Sequence, residues 1–489
     1  MTVRRVMGTE TEYAVSAPAV SHANPVQLSF DVIGAAAGPE RSRIRWDYRQ
    51  EDPVNDARGT RLERAAARPD MLTDEPQLNI VNVIAPNGGR MYVDHAHPEY
   101  SAPETTDPFE AVRYDHAGDL LMRRAAASAS AGTGHDIVLH RNNVDGKGAS
   151  WGTHENYMML RSVPFDTVAA LMTAHFVSRQ IYAGSGRVGI GERSETAGYQ
   201  LSQRADYIHA ILGLQTTFER PIVNTRDESH SPSDYRRLHV IVGDANRMDV
   251  PQTLKLGATS MLLWLAEHAD ETGYDLAALL DSMALVDPVS AMHTVSHDLT
   301  LQAELPLRDG GVTNAWIMQV RLRAAVYEMG ALVYGTDTRG EPLWPDKPTT
   351  GIMALWGQAL ADVAAIRHAD DDTRLNMQPE ASRVEWLMKW QLLERLRRRH
   401  GLSWNDPKLR AIDLGWAALD PVRSIFEKVR SRTERTVDDR QVADAAGNAP
   451  QTTRAWLRAA VVNRYASQVV AVSWSHLTVR RHDAPQTGE

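Results

Sequence analysis

The sequence contains no cysteine among its 489 residues. This absence excludes disulfide bonds, thiolate zinc sites and a cysteine nucleophile. Any chemistry must therefore come from carboxylates, hydroxyls, histidine, lysine, arginine or a bound metal.

Lysine is also scarce, with 6 Lys beside 47 Arg, and Lys147 is the only lysine in the first 250 positions. Recognition of phosphate or carboxylate groups must then rely mainly on arginine forks, backbone N–H groups or metal. The net charge of −9 repels a nucleic-acid backbone, so we expect no nucleic-acid partner.

Long apolar runs are missing, because no window approaches the ~20 consecutive apolar residues of a membrane-spanning helix. The first residues also lack the apolar stretch of a signal peptide before Gly8 and Glu10. We expect no membrane association and a cytoplasmic protein. The composition, 43% apolar and 24% charged, is that of an ordinary folded chain.

The order of predicted elements favours an α+β fold with a largely antiparallel sheet. Strands with interspersed helices are predicted first, including a hairpin over residues 78–95, and helices dominate after residue 250. Residues 41–77 are charged and rich in proline and glycine, which indicates a long exposed loop. The turn-forming residues Asn405-Asp406-Pro407 predict a boundary between a large domain over 1–405 and a small C-terminal domain over 406–489.

Two carboxylates lie two residues apart in the first predicted strand. The strand period of two places Glu10 and Glu12 on one face, about 7 Å apart at the backbone. Like charges at that range repel unless a cation lies between them, and hard oxygen ligands suit Mg²⁺ or Mn²⁺. A solvated strand face is the alternative.

A second predicted strand carries Arg90, Tyr92 and Asp94 on one face and apolar residues on the other, inward face. We expect a bend at Pro98 to bring Glu99 back toward them. His95 and His97 have a spacing seen in zinc sites, but two ligands without a third favour a structural role.

The remaining candidate residues do not belong to a phosphate-binding loop motif. Gly146-Lys147-Gly148 lacks the glycine and the Ser/Thr of a Walker loop. Arg204 and Arg226 are candidate anion binders, and His239 is a candidate metal ligand in a clean alternating strand. Each alone is more often a surface ion pair or a satisfied histidine.

The motifs together resemble the Dop/PafA family of actinobacterial enzymes that act on the prokaryotic ubiquitin-like protein Pup. The resemblance covers nearly the whole chain. The matching stretches are Glu10-x-Glu12, Arg90-x-Tyr92-x-Asp94, His97-Pro98-Glu99-Tyr100, Asn142-Asn143-Val144-Asp145-Gly146-Lys147-Gly148-Ala149-Ser150, His154-Glu155-Asn156-Tyr157, Ser202-Gln203-Arg204 and Arg237-Leu238-His239-Val240-Ile241.

A long insertion separates the depupylase branch, Dop, from the ligase branch, PafA. Here 79 residues lie between Glu12 and Tyr92, and they include the charged loop at 41–77. Trp46-Asp47-Tyr48 and Asp56-Ala57-Arg58-Gly59 within it also resemble the depupylase branch. The sequence is therefore more similar to the depupylases than to the ligases.

The resemblance implies a glutamine-synthetase-like domain whose curved sheet cradles ATP, or ADP with phosphate, and Mg²⁺ or Mn²⁺. It implies Asp94, Arg204 and Arg226 as catalytic residues, with Asp94 acting as a nucleophile or as a general base on water. The implied metal ligands are Glu10, Glu12, Tyr92, Glu99 and His239, and the implied nucleotide contacts are Arg90, Ala102, His239 and Trp474. Ala102 replaces a threonine of the ligases, so its contact would be through the backbone.

The implied reaction cleaves the isopeptide bond between the C-terminal residue of Pup and a substrate lysine, and deamidates Pup that ends in Gln. The implied partners are Pup, pupylated proteins and proteasome-associated machinery. Two alternatives remain open: a Pup ligase, which would form the bond with ATP turnover, and a nucleotide-binding adaptor without catalysis, in which Asp94 is dispensable.

Overall fold

The computed structural model describes residues 3–63, 82–228 and 230–480 of the chain. It confirms the α+β class, with one large antiparallel sheet and many helices. The strands are β1 (Met7–Glu12), β2 (Ala14–Ser16), β3 (Arg45–Trp46), β4 (Val83–Ile84), β5 (Arg90–Asp94), β6 (His97–Ser101), β7 (Val138–His140), β8 (Thr153–Leu160), β9 (Arg187–Ile190), β10 (Thr196–Gln200), β11 (Ile208–Gly213), β12 (Arg220–Asn224), β13 (Tyr235–Val240), β14 (Leu305–Pro306), β15 (Val312–Thr313), β16 (Val469–Val472) and β17 (Leu477–Val479).

The helices surround this sheet and form most of the second half of the chain. They are α1 (Pro25–Arg41), α2 (Pro108–Thr133), α3 (Phe165–Ser178), α4 (Gln180–Ala183), α5 (Asp249–Thr272), α6 (Leu276–Asp281), α7 (Pro288–His297), α8 (Ala315–Tyr334), α9 (Lys347–His368), α10 (Asp371–Arg374), α11 (Gln378–Ala381), α12 (Glu385–His400), α13 (Pro407–Trp416), α14 (Ile425–Val429), α15 (Asp439–Ala445) and α16 (Ala455–Tyr465).

The main sheet has six strands in the order β13-β8-β1-β6-β5-β4, and each neighbouring pair is antiparallel. Its register aligns the polar residues in rows. Arg90 lies opposite Ser101, which lies opposite Glu10, which lies opposite His154. Side chains that alternate along each strand therefore gather on a single face of the sheet.

A neighbouring row places three acidic or phenolic groups side by side. Tyr92 lies opposite Glu99, and Glu99 lies opposite Glu12. Met91 and Val93 point to the other face and are buried, as the alternation predicts. The rows bring together side chains that are up to about 150 positions apart in sequence.

Helix α2 supports β1 from the opposite face. Asp107 caps its first turn by accepting hydrogen bonds from the amides of Phe109 and Glu110, and proline occupies the first turn. On the supported face, the hydroxyls of Thr9 and Thr11 donate to Asp115 Oδ1 at 2.8 and 3.3 Å. This arrangement fixes the strand that carries Glu10 and Glu12.

The hairpin between β5 and β6 differs from the sequence expectation. The chain turns at His95 and Ala96, where His95 has a φ of 52°, and Pro98 continues straight along β6. A two-residue turn joins antiparallel strands directly, so no bend at Pro98 is needed. Glu99 reaches the cluster through the register of β6.

Strand β10 ends at Gln200, and a short 3-10 helix covers Ala205–Tyr207, directly after Arg204. The backbone leaves the extended conformation because Asp244 and Ser202 accept hydrogen bonds from the amides of Gln203 and Arg204. Of the strand predicted over 78–84, residues 78–81 lie outside the described residues.

The described part of the predicted loop, residues 41–63, contains regular structure. Strand β3 pairs in parallel with β16 of the C-terminal segment. Farther along, the amide of Ala57 donates to the carbonyl of Thr225 at 2.8 Å. The amide of Asp227 donates to the carbonyl of Asn55 at 2.9 Å. Residues 64–77 of the predicted loop lie outside the described residues.

The C-terminal segment packs in two places. Leu409 and Trp416 join the largest apolar core, whereas Val462, Val469 and Val472 form a separate small core with Ile44 and Trp46. The division of the chain at residue 405 stays a prediction.

Among the described residues, one helix, α9, is long and apolar enough to cross a membrane by length and composition alone. Half of its apolar window is buried, and it packs on α5 and α8. A buried core helix passes the same test.

Candidate active site

The sheet rows gather a carboxylate cluster formed by Glu10, Glu12, Asp94 and Glu99. Glu99 is 3% exposed and Glu12 is 8% exposed, so both groups are largely removed from water. Burial disfavours an ionised carboxylate unless a partner compensates for the lost hydration. The two residues meet this condition differently.

Glu12 has partners that favour its charged form. Its Oε1 accepts a hydrogen bond from the amide of Gly152 at 2.8 Å, and His97 Nδ1 lies 3.3 Å from its Oε2. Although burial opposes ionisation, the adjacent imidazole of His97, the charge of His154 and the Gly152 amide lower the pKa of Glu12 to about 2. Glu12 is therefore an anion at neutral pH.

Glu99 has the opposite tendency. Burial, followed by the negative charges of Asp94, Glu12 and Glu10, raises the pKa of Glu99 well above its ordinary value. The pKa of Tyr92 also rises well above its ordinary value, first through burial and then through the charge of Glu99. Without a cation, the cluster holds more acidic groups than it can ionise.

Two histidines close the cluster on the side of β8 and β13. Single ligand atoms of Glu10, His154 and His239 all lie within 4.8 Å of one another, a spacing that could hold a metal ion. His154 Nδ1 lies 3.1 Å from His239 Nε2, and burial lowers the pKa of both rings. Neutral imidazoles are the form that binds metal.

Asn156 orients this group. Its amide nitrogen donates to Glu10 Oε1 at 3.2 Å, and its Oδ1 lies 2.9 Å from His239 Nδ1. Because an amide oxygen only accepts, we infer that Nδ1 of His239 carries the proton and that Nε2, which lies 3.1 Å from His154 Nδ1, carries the lone pair. That lone pair points toward the cluster as a metal ligand requires.

Arg237 joins the cluster to the segment after β12. Its guanidinium donates to Asn156 Oδ1 at 3.0 Å and to Glu228 Oε2 at 3.2 Å, and it lies 3.8 Å from Glu10 Oε1. One cation thus neutralises carboxylates from two elements.

Arg90 lies in an aromatic cage on the same face of the sheet, toward the edge formed by β4. Its guanidinium carbon is 4.0 Å from the ring centre of Trp46 and 3.9 Å from that of Tyr92. It also donates to Asn82 Oδ1 at 2.7 Å and to the Tyr48 hydroxyl at 3.1 Å. Stacking and hydrogen bonds fix the plane of the guanidinium, which suits recognition of a phosphate group.

A cleft of about 350 Å³ opens beside the carboxylate cluster. Glu10, Ala102, Arg237 and Trp474 are among its lining residues, and four strands of the sheet, β1, β6, β8 and β13, share it with the C-terminal segment. Its size fits a small-molecule ligand. Trp474 is held at the rim by an edge-to-face contact with Trp46 at 5.1 Å.

Ala102 lines this cleft, and its amide is already engaged. The Ala102 N–H donates to the carbonyl of Thr9 at 2.8 Å. A backbone contact to a ligand is therefore left to its carbonyl oxygen.

Asp94 lies at the open end of the cluster. Its side chain is 40% exposed, and His95 Nδ1 lies 3.0 Å from its Oδ2. It is the most accessible carboxylate of the group, since Glu10 and Glu12 are 18% and 10% exposed at the side chain. A substrate that enters the cluster can meet Asp94 first.

Arg204 lies beneath the site. Its guanidinium donates to Ser150 Oγ, the Trp151 carbonyl and the Ile241 carbonyl at 2.7 to 2.9 Å. It therefore holds the segment whose Gly152 amide contacts Glu12. Burial, and next the charge of Arg220, lowers the pKa of Arg204 to about 9.

Arg226 follows β12 and pairs through its backbone with Asp56. Its Nε is buried and has no hydrogen-bond partner among the described residues. The pKa of His239 is lowered first by burial, then by the charges of Arg237 and His154, and finally by the charge of Arg226. Arg226 therefore lies near the cluster.

Five residues of the site had no role predicted from sequence: His154, Asn156, Trp46, Tyr48 and Gly152. The alternation along β8 was a usable signal, because His154 and Asn156 face away from the buried Glu155 and Tyr157. Their approach to Glu10 depends on the pairing of β8 with β1, which a sequence does not specify locally.

Comparison with known proteins gives a family match over almost the whole chain. A family model described as Pup-ligase protein matches residues 5–478. The Pup deamidase/depupylase of Mycolicibacterium smegmatis is 41% identical over 480 residues, covering 96% of this chain and 91% of the relative. The Pup–protein ligase of Micrococcus luteus is 35% identical over 494 residues, covering 98% of this chain and 93% of the relative.

Solved structures with the same fold are also found. A complex between Pup and its ligase PafA matches with a TM-score of 0.75 and 26% identity, covering 98% of this chain and 86% of that chain. PafA in complex with ADP matches with a TM-score of 0.69 and 29% identity, covering 82% of this chain and 84% of that chain.

Proposed function

The chain belongs to the Pup-ligase family, and on that premise we propose that it is a Pup deamidase and depupylase. It hydrolyses the isopeptide bond between the C-terminal residue of Pup and a substrate lysine, and it converts a C-terminal Gln of Pup to Glu. The observation that carries this proposal is the higher identity to a deamidase/depupylase, 41%, than to a ligase, 35%.

The segment that follows α1 supports the same choice. The resemblance assigns an insertion in this region to the depupylase branch, and residues 44–62 contact both the sheet and the C-terminal segment. Trp46 and Tyr48 from this segment surround Arg90. The segment is thus part of the site.

We propose Asp94 as the catalytic carboxylate. Its exposure at the open end of the cluster allows it either to attack the side-chain carbonyl of the terminal Pup residue or to deprotonate an attacking water. In both routes, water supplies the hydroxyl of the new carboxylate, and the released amine takes the remaining proton. Arg226 is the better candidate for stabilising negative charge on the carbonyl oxygen. The guanidinium of Arg204 already donates to Ser150, Trp151 and Ile241.

The donor set fits a hard divalent cation such as Mg²⁺ or Mn²⁺. The pKa of Glu99 is raised because neighbouring carboxylates crowd it, and a cation would relieve that repulsion. The residues that would hold the ion are Glu10, Glu12, Tyr92, Glu99 and His239, with His154 as an addition from the structure. When bound, the ion supplies positive charge that polarises phosphate and carbonyl oxygens.

We propose that the cleft lined by Trp474 holds ATP, or ADP with phosphate. Arg90 would bind the phosphates, and Trp474 and the Ala102 carbonyl would contact the nucleotide. A relative that binds ADP and has the same fold supports nucleotide binding. The expected cytoplasmic location and the expected contact with proteasome-associated machinery stay predictions.

The reaction direction is tested by incubating the protein with a purified pupylated substrate, Mg²⁺ and ATP. We expect free substrate and free Pup to accumulate without a matching loss of ATP. Formation of new conjugate in step with ATP consumption would identify a ligase instead. Absence of both reactions, with nucleotide still bound, would favour the adaptor.

A further inference from the structure

A second cleft, of about 380 Å³, lies behind the sheet. It opens between α2, the start of α5 and the chain after α13. We call it the rear cleft and define it by Arg123, Arg124, Arg247, Phe426 and Arg430. Helix α2 packs on the face of β1 opposite to Glu10 and Glu12, so the rear cleft is separate from the carboxylate cluster.

Cationic groups outnumber acidic groups in the rear cleft. The cationic groups in its lining are His116, Arg123, Arg124, Arg247, Arg430 and Arg435, and the acidic groups are Asp119, Asp249, Glu427 and Asp439. His116 counts as a cation because, although burial opposes it, the carboxylates of Asp119, at 3.9 Å, and Asp249, at 3.2 Å, raise its pKa to about 9. The excess of positive charge favours an anionic occupant.

Most of these acidic groups already have partners. Arg435 lies 2.8 Å from Asp249, Arg430 pairs with Asp439, and Arg247 NH2 donates to Glu427 at 3.2 Å. By contrast, Arg123 and Arg124 make no hydrogen bond or ion pair to any of the described residues. The positive charge that remains is therefore at the mouth of the cleft.

Arg247 supplies the second, independent observation. It is only 7% exposed, and its NH1 is a buried donor without a hydrogen-bond acceptor among the described residues. Asp119 Oδ2 lies 3.7 Å from this NH1, which is beyond hydrogen-bond distance. Buried donors in native proteins are almost always satisfied, and a carboxylate or phosphate oxygen is the strongest acceptor for a guanidinium.

The other walls of the rear cleft are apolar. Phe426 lies 5.2 Å from the Arg247 guanidinium, and Leu120, Leu419 and Val442 complete this side. A ligand that fits has one anionic end near Arg247, a short hydrocarbon body and a second anionic end near Arg123 and Arg124.

We propose that the rear cleft binds a small organic anion with two anionic ends, such as a short dicarboxylate or a phosphorylated carboxylic acid. Arg247 NH1 donates to one anionic end, and Arg123 and Arg124 neutralise the other. This inference rests on the cleft alone and does not depend on the proposed depupylase activity.

Isothermal titration of the full chain, saturated with ADP and Mg²⁺, tests this site with two probes. Succinate represents the dicarboxylates, and 3-phosphoglycerate represents the phosphorylated carboxylic acids. We expect at least one of them to bind in the millimolar range or tighter, and the tighter probe identifies the class. Absence of binding by both probes overturns the proposal.

Three variants locate the bound probe. Arg247→Gln and the double variant Arg123→Gln/Arg124→Gln should each weaken binding about tenfold, since each removes a charge-assisted hydrogen-bond donor. The double variant changes only exposed side chains, so it keeps the test valid if Arg247→Gln does not fold. Arg90→Gln should leave probe binding unchanged, and a loss of binding there would place the probe in the nucleotide cleft instead.

The matched control is Arg399→Gln/Arg410→Gln, which removes the same charge from exposed positions on α12 and α13. It should bind the probe as the parent protein does. If the control loses as much affinity as Arg123→Gln/Arg124→Gln, the effect is one of net charge and the rear cleft is not a site.

Discussion

Glu12 and Glu99 lie opposite each other on neighbouring strands, yet their environments drive their acidity in opposite directions. The histidine and amide partners of Glu12 lower its pKa to about 2, whereas burial and the adjacent acids raise that of Glu99 well above its ordinary value. A pair of this kind can accept a cation with the release of a proton. Individual partners, rather than residue type, therefore decide the role of each carboxylate.

Asn156→Ala should weaken metal binding without removing a proposed ligand. The variant loses the amide that contacts both Glu10 and His239, and residues that orient metal ligands typically contribute about 10–100-fold to affinity or activity. We expect the Mg²⁺ concentration for half-maximal depupylation to rise by about that factor, with activity recovered at saturating Mg²⁺. A Mg²⁺ titration of the reaction rate measures this.

The exposed Asn405→Ala, which removes the same amide, is the control for that titration. An unchanged Mg²⁺ requirement in Asn156→Ala would separate Asn156 from the metal site.

The sequence predicted most of these residues individually but few of their contacts. Alternation alone places Glu10 with Glu12, and Arg90 with Tyr92 and Asp94. It does not reveal that His154 lies opposite Glu10, since that requires β8 to pair with β1 across about 140 intervening positions. The same limit applies to Arg204, whose guanidinium contacts three carbonyl or hydroxyl groups from distant segments.

At the scale of elements, the segment of residues 44–62 connects the site to the rest of the fold. Its first part places Trp46 and Tyr48 around Arg90, and its second part pairs with the segment after β12 that carries Arg226 and Glu228. The sequence predicted an exposed loop here because the residues are polar and contain proline and glycine. Hydrogen bonds to distant strands, which composition does not encode, give the described part its order.

Tyr48→Phe should weaken nucleotide binding with little effect on folding. It removes only the hydroxyl that accepts from Arg90 at 3.1 Å, and a hydrogen bond to a neutral acceptor contributes about 1 kcal/mol, or about fivefold in Kd. Titration with a fluorescent ATP analogue provides the measurement. Tyr465→Phe, at an exposed position, should bind as the parent does, and equal affinity in both variants would contradict the role given to Arg90.

Asp56→Ala should loosen the second contact of the same segment. Asp56 is 3% exposed and accepts from Thr225 Oγ1 at 2.9 Å, and the loss of a hydrogen bond to a charged group costs about 1.5–3 kcal/mol. Hydrogen exchange at the amides of Ala57 and Asp227 should become at least about tenfold faster. Glu63→Ala, which removes a carboxylate from an exposed position just after this segment, should leave those amides protected. Unchanged exchange in Asp56→Ala would show that the backbone pairing holds without it.

At the scale of the whole molecule, a network of ion pairs links the C-terminal segment to the sheet. Glu104 follows β6 and contacts Arg454 at 2.7 Å, and it also pairs with Arg458 of α16. Arg458 in turn lies 4.9 Å from the ring of Trp474 and donates to its carbonyl. The position of Trp474 at the nucleotide cleft therefore depends on this network.

This contact should make stability depend on pH. Burial opposes ionisation, but the charges and hydrogen bonds of Arg458 and Arg454 lower the pKa of Glu104 from 4.5 to about 2. Because the pKa in the folded state is the lower one, the stabilisation is fully present above pH 4.5 and is lost as the pH falls through about 2.

Glu104→Gln isolates that contribution. We expect its free energy of unfolding to be about 3 kcal/mol lower than that of the parent protein at pH 7. This difference should shrink as the pH falls below 4.5. Urea unfolding at several pH values measures the difference. The exposed Glu40→Gln should match the parent throughout, and a difference for Glu104→Gln that does not vary with pH would contradict the assignment.

Asp94 is the residue on which the proposed hydrolysis depends most directly, as its catalytic carboxylate. The decisive measurement is the rate of cleavage of a pupylated substrate by Asp94→Asn at saturating Mg²⁺ and ATP, beside the surface control Asp166→Asn. We predict a rate about 10²–10⁴-fold lower for Asp94→Asn, with nucleotide affinity retained and the control equal to the parent. Cleavage by Asp94→Asn at the rate of the parent protein would contradict the account.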